Sequence, residues 1–175
     1  MHEQEPDDAA VRLREWNDGD DAAWYAESVR DPLIQRFTTE SPTLTADEVR
    51  AAIVAMRASD TAEGFVVCDA RTGDRLGNIA LQHDGGSGEV SYWMAAEARG
   101  RGAATQALIM FSAWSIREVG LRTLWLRAHR DNTASQRVAL RAGYRRDPDR
   151  DASTDVKGEV WPILGFVLDP DRIDP

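Results

Sequence analysis

The sequence is poor in the residues that build covalent and metal-bound sites. It has one cysteine, Cys68, which permits no intramolecular disulfide and leaves too few thiols for a structural zinc site. Its three histidines, His2, His83 and His129, stand at neither helical nor hairpin ligand spacing, so no metal is expected. Long apolar runs are missing as well. None approaches the ~18 to 20 residues that cross a bilayer, and the opening MHEQEPDDAA has neither the basic nor the apolar stretch of a secretory leader. The expectation is a cytoplasmic protein without membrane contact. Lysine is nearly absent, Lys157 standing against twenty arginines. Together with abundant alanine, this reads as the base composition of the coding genome rather than as chemistry. Positive charge is short overall, 30 acids against 21 bases, and the net −9 argues against direct nucleic-acid binding.

What is present is the composition of a globular chain, 42% hydrophobic and 29% charged, at a length that makes one domain. Residues 1–10 are polar and expected to fray, 11–169 to form the domain, and 170–175 to be a tail. Val11, Leu13 and the Glu15/Trp16 pair alternate as a half-buried strand, and an acidic stretch over 17–21 leads into a short helix holding Trp24 and Tyr25. Thr45 and Glu48 make a capping box for a helix whose Val49, Ala52, Ile53 and Met56 share a face. Residues 65–69 and 76–82 read as an antiparallel hairpin turning over 71–74. After a flexible 85–88 come a strand over 89–94, a loop over 95–102 and a helix over 103–119 stopped by Gly120. A strand over 123–128 precedes a helix that starts at Asn132 or Thr133 and stops at Gly143. Tyr144 opens a strand, 147–159 read as a polar loop, and 161–168 as the closing strand. This order gives an α/β domain with a mixed sheet.

Charge is unevenly placed along the chain. Residues 89–146 hold ten bases and four acids, +6, while the rest holds 11 bases and 26 acids, −15. Arginines on exposed helix faces balancing acidic loops is one reading; an anionic ligand held by the middle of the chain is the other. The stretch EARGRGAATQAL, Glu97 to Leu108, favours the second. A strand that ends in a glycine-spaced loop and opens directly into a helix offers free N–H groups and the positive end of a helix dipole. Alone it could be an ordinary strand-to-helix turn. No Gly-Lys-Ser/Thr follows, which excludes a P-loop, and the third glycine and ribose-binding acid of a dinucleotide fingerprint are missing.

Further motifs in order around that loop decide between these readings. EVSYWM (Glu89 to Met94) is followed by Arg-x-x-Gly-x-Ala (Arg99, Gly102, Ala104), a long helix, Asn-x-x-Ser (Asn132, Ser135) and a terminal Gly-aromatic (Gly143, Tyr144). Over residues 75–146 the chain resembles the GNAT superfamily of acyl-CoA-dependent N-acetyltransferases, most closely its ribosomal-protein-type branch. The resemblance implies a single domain whose mixed, mostly antiparallel sheet splays at the coenzyme site and is flanked by helices. It implies acetyl-CoA as acyl donor, its pyrophosphate on Arg99, Arg101, Gly102, Ala103 and Ala104, and its pantetheine beside Trp93 and Met94, with Asn132 touching that arm. The thioester would then lie between Trp93 and Ser135.

Acyl transfer to an amine needs a neutral amine, a stabilised oxyanion and a departing thiolate. A lysine with pKa ~10.4 is about 0.1% neutral at pH 7.4, a penalty of roughly 4 kcal/mol, whereas an α-amine near ~8 gives up less than about 1. A backbone N–H near Met94 is the natural oxyanion donor. Many enzymes of the family place a tyrosine seven residues after the motif asparagine, but here that position is Ala139. Ser135 is left to meet the thiolate, unless it merely bonds backbone in the first helical turn. Glu89 is the expected base, pointing by alternation to one face with Ser91 and Trp93. His129, the His83/Asp84 pair and a water chain are the alternatives. Trp93, Trp114 and Trp125 read mainly as core, while Trp24, Tyr25, Phe37 and Trp161 are candidates for the acceptor wall.

The expected reaction is acetyl transfer to a primary amine, foremost the α-amine of a protein or peptide, next a small amine such as an aminoglycoside, polyamine or amino acid. From a different class, a non-catalytic acyl-CoA-binding module fits the missing tyrosine. The expected partners are acetyl-CoA and an amine, and the oligomer is a monomer or homodimer. The resemblance places the segment holding Asp18, Asp20, Asp21, Glu27, Asp31 and Glu40 over the acceptor mouth, opposite the loop holding Asp147, Asp149, Asp151, Asp155 and Glu159; a cationic amine would be steered between them, unless those acids serve only solubility.

Overall fold

Alternating apolar residues in the early strands and 3.6-residue periodicity in the later helices produce a sheet with helices on both faces, seen here in a computed structural model that describes residues 10–17 and 19–169. The expectations for residues 1–9, for Asp18 and for the tail 170–175 lie outside the described residues. The order is β1 (Val11–Glu15), α1 (Asp20–Ser28), α2 (Pro32–Phe37), α3 (Ala46–Arg57), β2 (Ala62–Asp69), β3 (Arg75–His83) and β4 (Ser87–Met94). It continues with α4 (Ala103–Trp114), β5 (Thr123–His129), α5 (Thr133–Arg141), β6 (Arg145–Arg146), β7 (Ala152–Val156) and β8 (Glu159–Leu168). The strands run β1-β2-β3-β4-β5-β8-β6, with β7 on β8. Every pairing is antiparallel except β4–β5. That parallel pair holds register only over Ser87↔Thr123, Gly88↔Leu124 and Glu89↔Trp125, after which the two strands part. The expected α/β domain with a splayed, mostly antiparallel mixed sheet is the fold observed.

Three sets of apolar side chains fix the layers. Ala107, Leu108 and Phe111 of α4 pack with Ile79, Leu81, Val90, Leu124, Leu126 and Phe166 from one sheet face into the main core. Each large side chain so buried contributes roughly 1.5–3 kcal/mol. Across the sheet, Trp16, Ala22, Ala26, Val49, Ile53, Val66 and Cys68 join α1 and α3 to β1 and β2, and a smaller group of Val29, Ile34 and Trp93 seats the start of α2 on β4. The Thr45/Glu48 capping box forms as expected.

Two elements differ from the sequence reading. Asp31 caps α2 through bonds from the Leu33 and Ile34 amides, with Pro32 in the first turn, so a helix stands where none was expected. The polar stretch 147–159 is mostly structured. Residues 148–150 form a 3₁₀ turn, and β7 pairs with β8 through a two-residue turn at Lys157 (φ 53°) and Gly158 (φ 80°). Both central residues have positive φ, as in a type I′ hairpin. Lys-Gly lacks the asparagine or aspartate that usually announces such a turn, which is why alternation over ASTDV was hidden under a polar composition.

Candidate active site

The splay between β4 and β5 follows from where the helix α4 must start. Ala95 N donates to Leu76 O at 2.8 Å, and β3 and β4 pair Gly77 with Met94. In an antiparallel ladder the backbone groups of successive residues face alternate neighbours. Met94 and Tyr92 therefore turn their N–H and C=O groups away from β3 into the gap, while Trp93 spends its own on β3. Of the two residues expected beside the pantetheine, Met94 offers backbone to the gap and Trp93 does not; Tyr92 takes its place. The Met94 N–H faces the gap, and its carbonyl accepts from Arg99 Nη2 at 3.1 Å.

A cleft of about 1060 Å³ runs through this gap. At one end it meets the loop, where Gly102 sits in the left-handed region (φ 74°) as N-cap of α4 with no side chain capping the helix. A Cβ on Gly102 would meet nothing within 4 Å, so the exposed first-turn amides of α4 look into open volume. Gly102, Ala103 and Ala104 line this end, but Arg101 is exposed and lies outside the lining. Arg99 lines it, yet its guanidinium is already engaged by the Asp31 carboxylate and Met94 O. The Arg99 bond holds the Asp31 carboxyl below the usual range. Two other cations line the cleft, Arg137 and Arg141, one turn apart on α5, and neither carries an ion pair among the described residues. Their (i, i+4) spacing was readable in the sequence and was passed over in favour of the loop arginines.

Between the two ends, Asn132 caps α5 by accepting from Ser135 N at 3.1 Å, which sets Ser135 in the first turn facing the gap. Its Oγ lies 2.9 Å from the Tyr92 hydroxyl. Ala139, where a tyrosine was looked for, is fully buried. Burial pushes the Tyr92 phenol up to about 12, its bond with Ser135 opposing.

The far end of the cleft opens between α2 and the β7–β8 hairpin. Phe37, His129 and Trp161 form an aromatic wall, with ring centroids 5.6 Å apart for Phe37–His129 and 5.4 Å for His129–Trp161. His129 Nδ1 accepts the Asp131 amide at 3.0 Å, which leaves Nε2 as its other polar edge. Glu89 lies on the floor with both oxygens bound by Arg127, at 2.8 and 3.3 Å. Glu40 accepts from the Tyr25 hydroxyl. Lys157 at the hairpin tip donates to Gln35 O and Oε1 at 2.9 and 3.0 Å, bridging the hairpin to α2. Trp24 stands apart. It packs on Trp16 and Trp93 at 6.3 and 5.6 Å and borders a separate 460 Å³ pocket with Glu27 and Glu97. His83 and Asp84 accept the Gly85, Gly86 and Ser87 amides, and so hold the β3–β4 turn instead of reaching the cleft.

Among the described residues no group of three or more His, Cys, Asp or Glu side chains could hold a metal ion, and no helix is long and apolar enough to cross a membrane. Residues 10–145 match the model of a family described as acetyltransferase (GNAT) domain. No curated protein matches the sequence. Among solved structures, the chain is similar to the spermidine N-acetyltransferase from Vibrio cholerae in complex with CoA and spermine, at 17% identity and TM-score 0.82 over 93% of this chain and 97% of that one. It is similar to a GNAT-family acetyltransferase from Bacillus anthracis (17%, 0.78, 93% and 96%) and to the ribosomal-protein-S5-alanine acetyltransferase from Vibrio fischeri (16%, 0.79, 94% and 96%). At these identities the likeness is one of fold.

Proposed function

The chain belongs to the GNAT acetyltransferase domain family and is an acyltransferase using acetyl-CoA, and from that premise we propose that its acceptor is the α-amine of a protein or peptide. The observation that carries this is the state of Glu89, the carboxylate expected as base: both its oxygens are held by Arg127, so the cleft presents no free base at that position and favours an amine that is already partly neutral. The cleft's far end, walled by Phe37, His129 and Trp161, suits an extended chain end.

An α-amine also asks least of the site. It is partly neutral near pH 7.5, so no strong base has to be built. Both oxygens of Glu89 are held by Arg127, and Glu89 receives the proton through water. The amine nitrogen attacks the thioester carbon, and the Met94 N–H meets the developing oxyanion without reorganising. The C–S bond then breaks and the sulfur leaves toward Ser135. The coenzyme phosphates fit the α4 N-terminus with Gly102, Ala103 and Ala104, and Arg137 and Arg141 add charge that Arg99, tied to Asp31, supplies less freely.

Thiol release with a panel of acceptors tests the proposal. Peptides with a free N-terminus should exceed N-blocked, lysine-bearing peptides and spermidine in kcat/KM, and the ranking should persist from 20 to 300 mM salt, where the Debye length falls from about 20 to about 6 Å. A polyamine preference that salt weakens would support the small-amine alternative. Uptake of acetyl-CoA without turnover for any amine would support a binding module.

A further inference from the structure

Tyr92 carries a half-buried phenol that the chemistry above leaves unused, and we infer that it positions Ser135, holding the serine oxygen so that the serine's own proton is aimed at the coenzyme sulfur. The inference rests on Ser135 being the group that meets the departing thiolate.

Alternation along β4 sends Tyr92 to the sheet face opposite Glu89, Ser91 and Trp93, where its ring packs against the main core and its hydroxyl reaches α5. Two Ser135 atoms lie near that hydroxyl, Oγ at 2.9 Å and the carbonyl oxygen at 3.2 Å. The carbonyl sits inside the α5 hydrogen-bond ladder and has a partner already. A serine hydroxyl carries one proton and two acceptor sites. With sulfur in the gap, the arrangement that satisfies all three atoms has the phenol donating to Oγ and Oγ donating to sulfur. A first-turn serine without that phenol would turn its proton back onto the helix backbone. Burial keeps the phenol protonated across the working range, so it donates a hydrogen bond and does not surrender its proton.

The step balances without an added reactant. The N–C bond forms, the C–S bond breaks, sulfur leaves with the electron pair under the Ser135 hydrogen bond, and the proton released by nitrogen passes through water to Glu89 and from there to sulfur. The Tyr92–Ser135 pair ends as it began.

A double-mutant cycle tests this, with kcat, KM for acetyl-CoA and melting temperature measured for each protein. Ser135→Ala should lower kcat about a hundredfold. Tyr92→Phe should lower it about tenfold, with KM for acetyl-CoA within about twofold of the parent, and the double variant should be no slower than Ser135→Ala alone. Tyr144→Phe is the control for losing a buried hydroxyl, since Tyr144 bonds Ser112 at 2.8 Å and does not line the cleft; it should move the melting temperature and leave kcat alone. Parent-like kcat in Tyr92→Phe beside an impaired Ser135→Ala overturns the role of Tyr92 alone. So do losses that multiply in the double variant. Parent-like kcat in Ser135→Ala removes the Ser135 reading and this inference with it.

Discussion

Asp21 is the acid whose chemistry is most changed by folding. Its carboxylate is fully buried under α1 and takes bonds from Arg14 at 2.8 and 2.9 Å, Arg75 at 2.7 Å and the Asn17 amide at 2.9 Å. Burial alone would push this carboxyl up; the Arg14, Asn17 and Arg75 bonds outweigh it and hold it at about 2. In the unfolded chain it titrates near ~3.9, so its contribution, about 2 kcal/mol, is complete above roughly pH 4 and fades as pH falls toward the folded value. Urea melts should show the parent losing stability between about pH 4 and pH 2 more steeply than Asp21→Asn, and the variant should be weaker by about 2–3 kcal/mol at pH 7 because two arginines are left unpaired. Equal stability at pH 7 would mean that this cluster does not hold β1, α1 and β3 together. The family resemblance assigned Asp21, with the other acids of its segment, to the acceptor mouth; only the fold brings Arg75 to it, 54 residues away. Arg99 was legible as a loop cation, but its bond to Asp31 depends on where α2 starts. By contrast, the Asn132 cap on α5 and the glycine turn at Gly102 were legible because capping and left-handed turns are local physics, whereas Ser135 was singled out by the resemblance.

The elements that enclose the acceptor end were the least legible. Strands β2 to β5 and helices α3 to α5 announce themselves by periodicity and caps, each a property of a few neighbouring residues. The β7–β8 hairpin turns on an unusual Lys-Gly pair, and its meaning lies in a contact with Gln35, 122 residues away. Lys157 loses water in making that contact, and this desolvation lowers its pKa. The bridge fixes the distance between α2, which carries Phe37, and β8, which carries Trp161. Lys157→Met should therefore raise KM for the amine several-fold while leaving the dissociation constant for acetyl-CoA unchanged, at a stability cost of about 1 kcal/mol or less, since two partly exposed hydrogen bonds are lost. Calorimetry with acetyl-CoA and initial rates against peptide separate the two effects. An unchanged amine KM would show that the hairpin holds its place without the bridge.

Over the whole molecule, the uneven charge has a simpler disposition than its segment totals suggested. Several acids outside the central segment are met by nearby arginines: Asp21 by Arg14 and Arg75, Glu27 by Arg30, Asp31 by Arg99, Asp147 by Arg150 and Asp151 by Arg146. Arginines without such partners, Arg137 and Arg141, stand where the coenzyme's phosphates are proposed to lie. The cleft lining as a whole is close to balanced, with Glu40, Glu63, Glu89 and Asp131 against Arg36, Arg99, Arg127, Arg137 and Arg141. The most direct measurement uses a single peptide bearing both a free α-amine and an internal lysine, incubated with acetyl-CoA near pH 7.5, its product sequenced by tandem mass spectrometry. One acetyl group is expected, on the N-terminal nitrogen, formed together with free coenzyme A. Acetyl on the lysine side chain, or none on peptide while spermidine is acetylated in parallel, would contradict it.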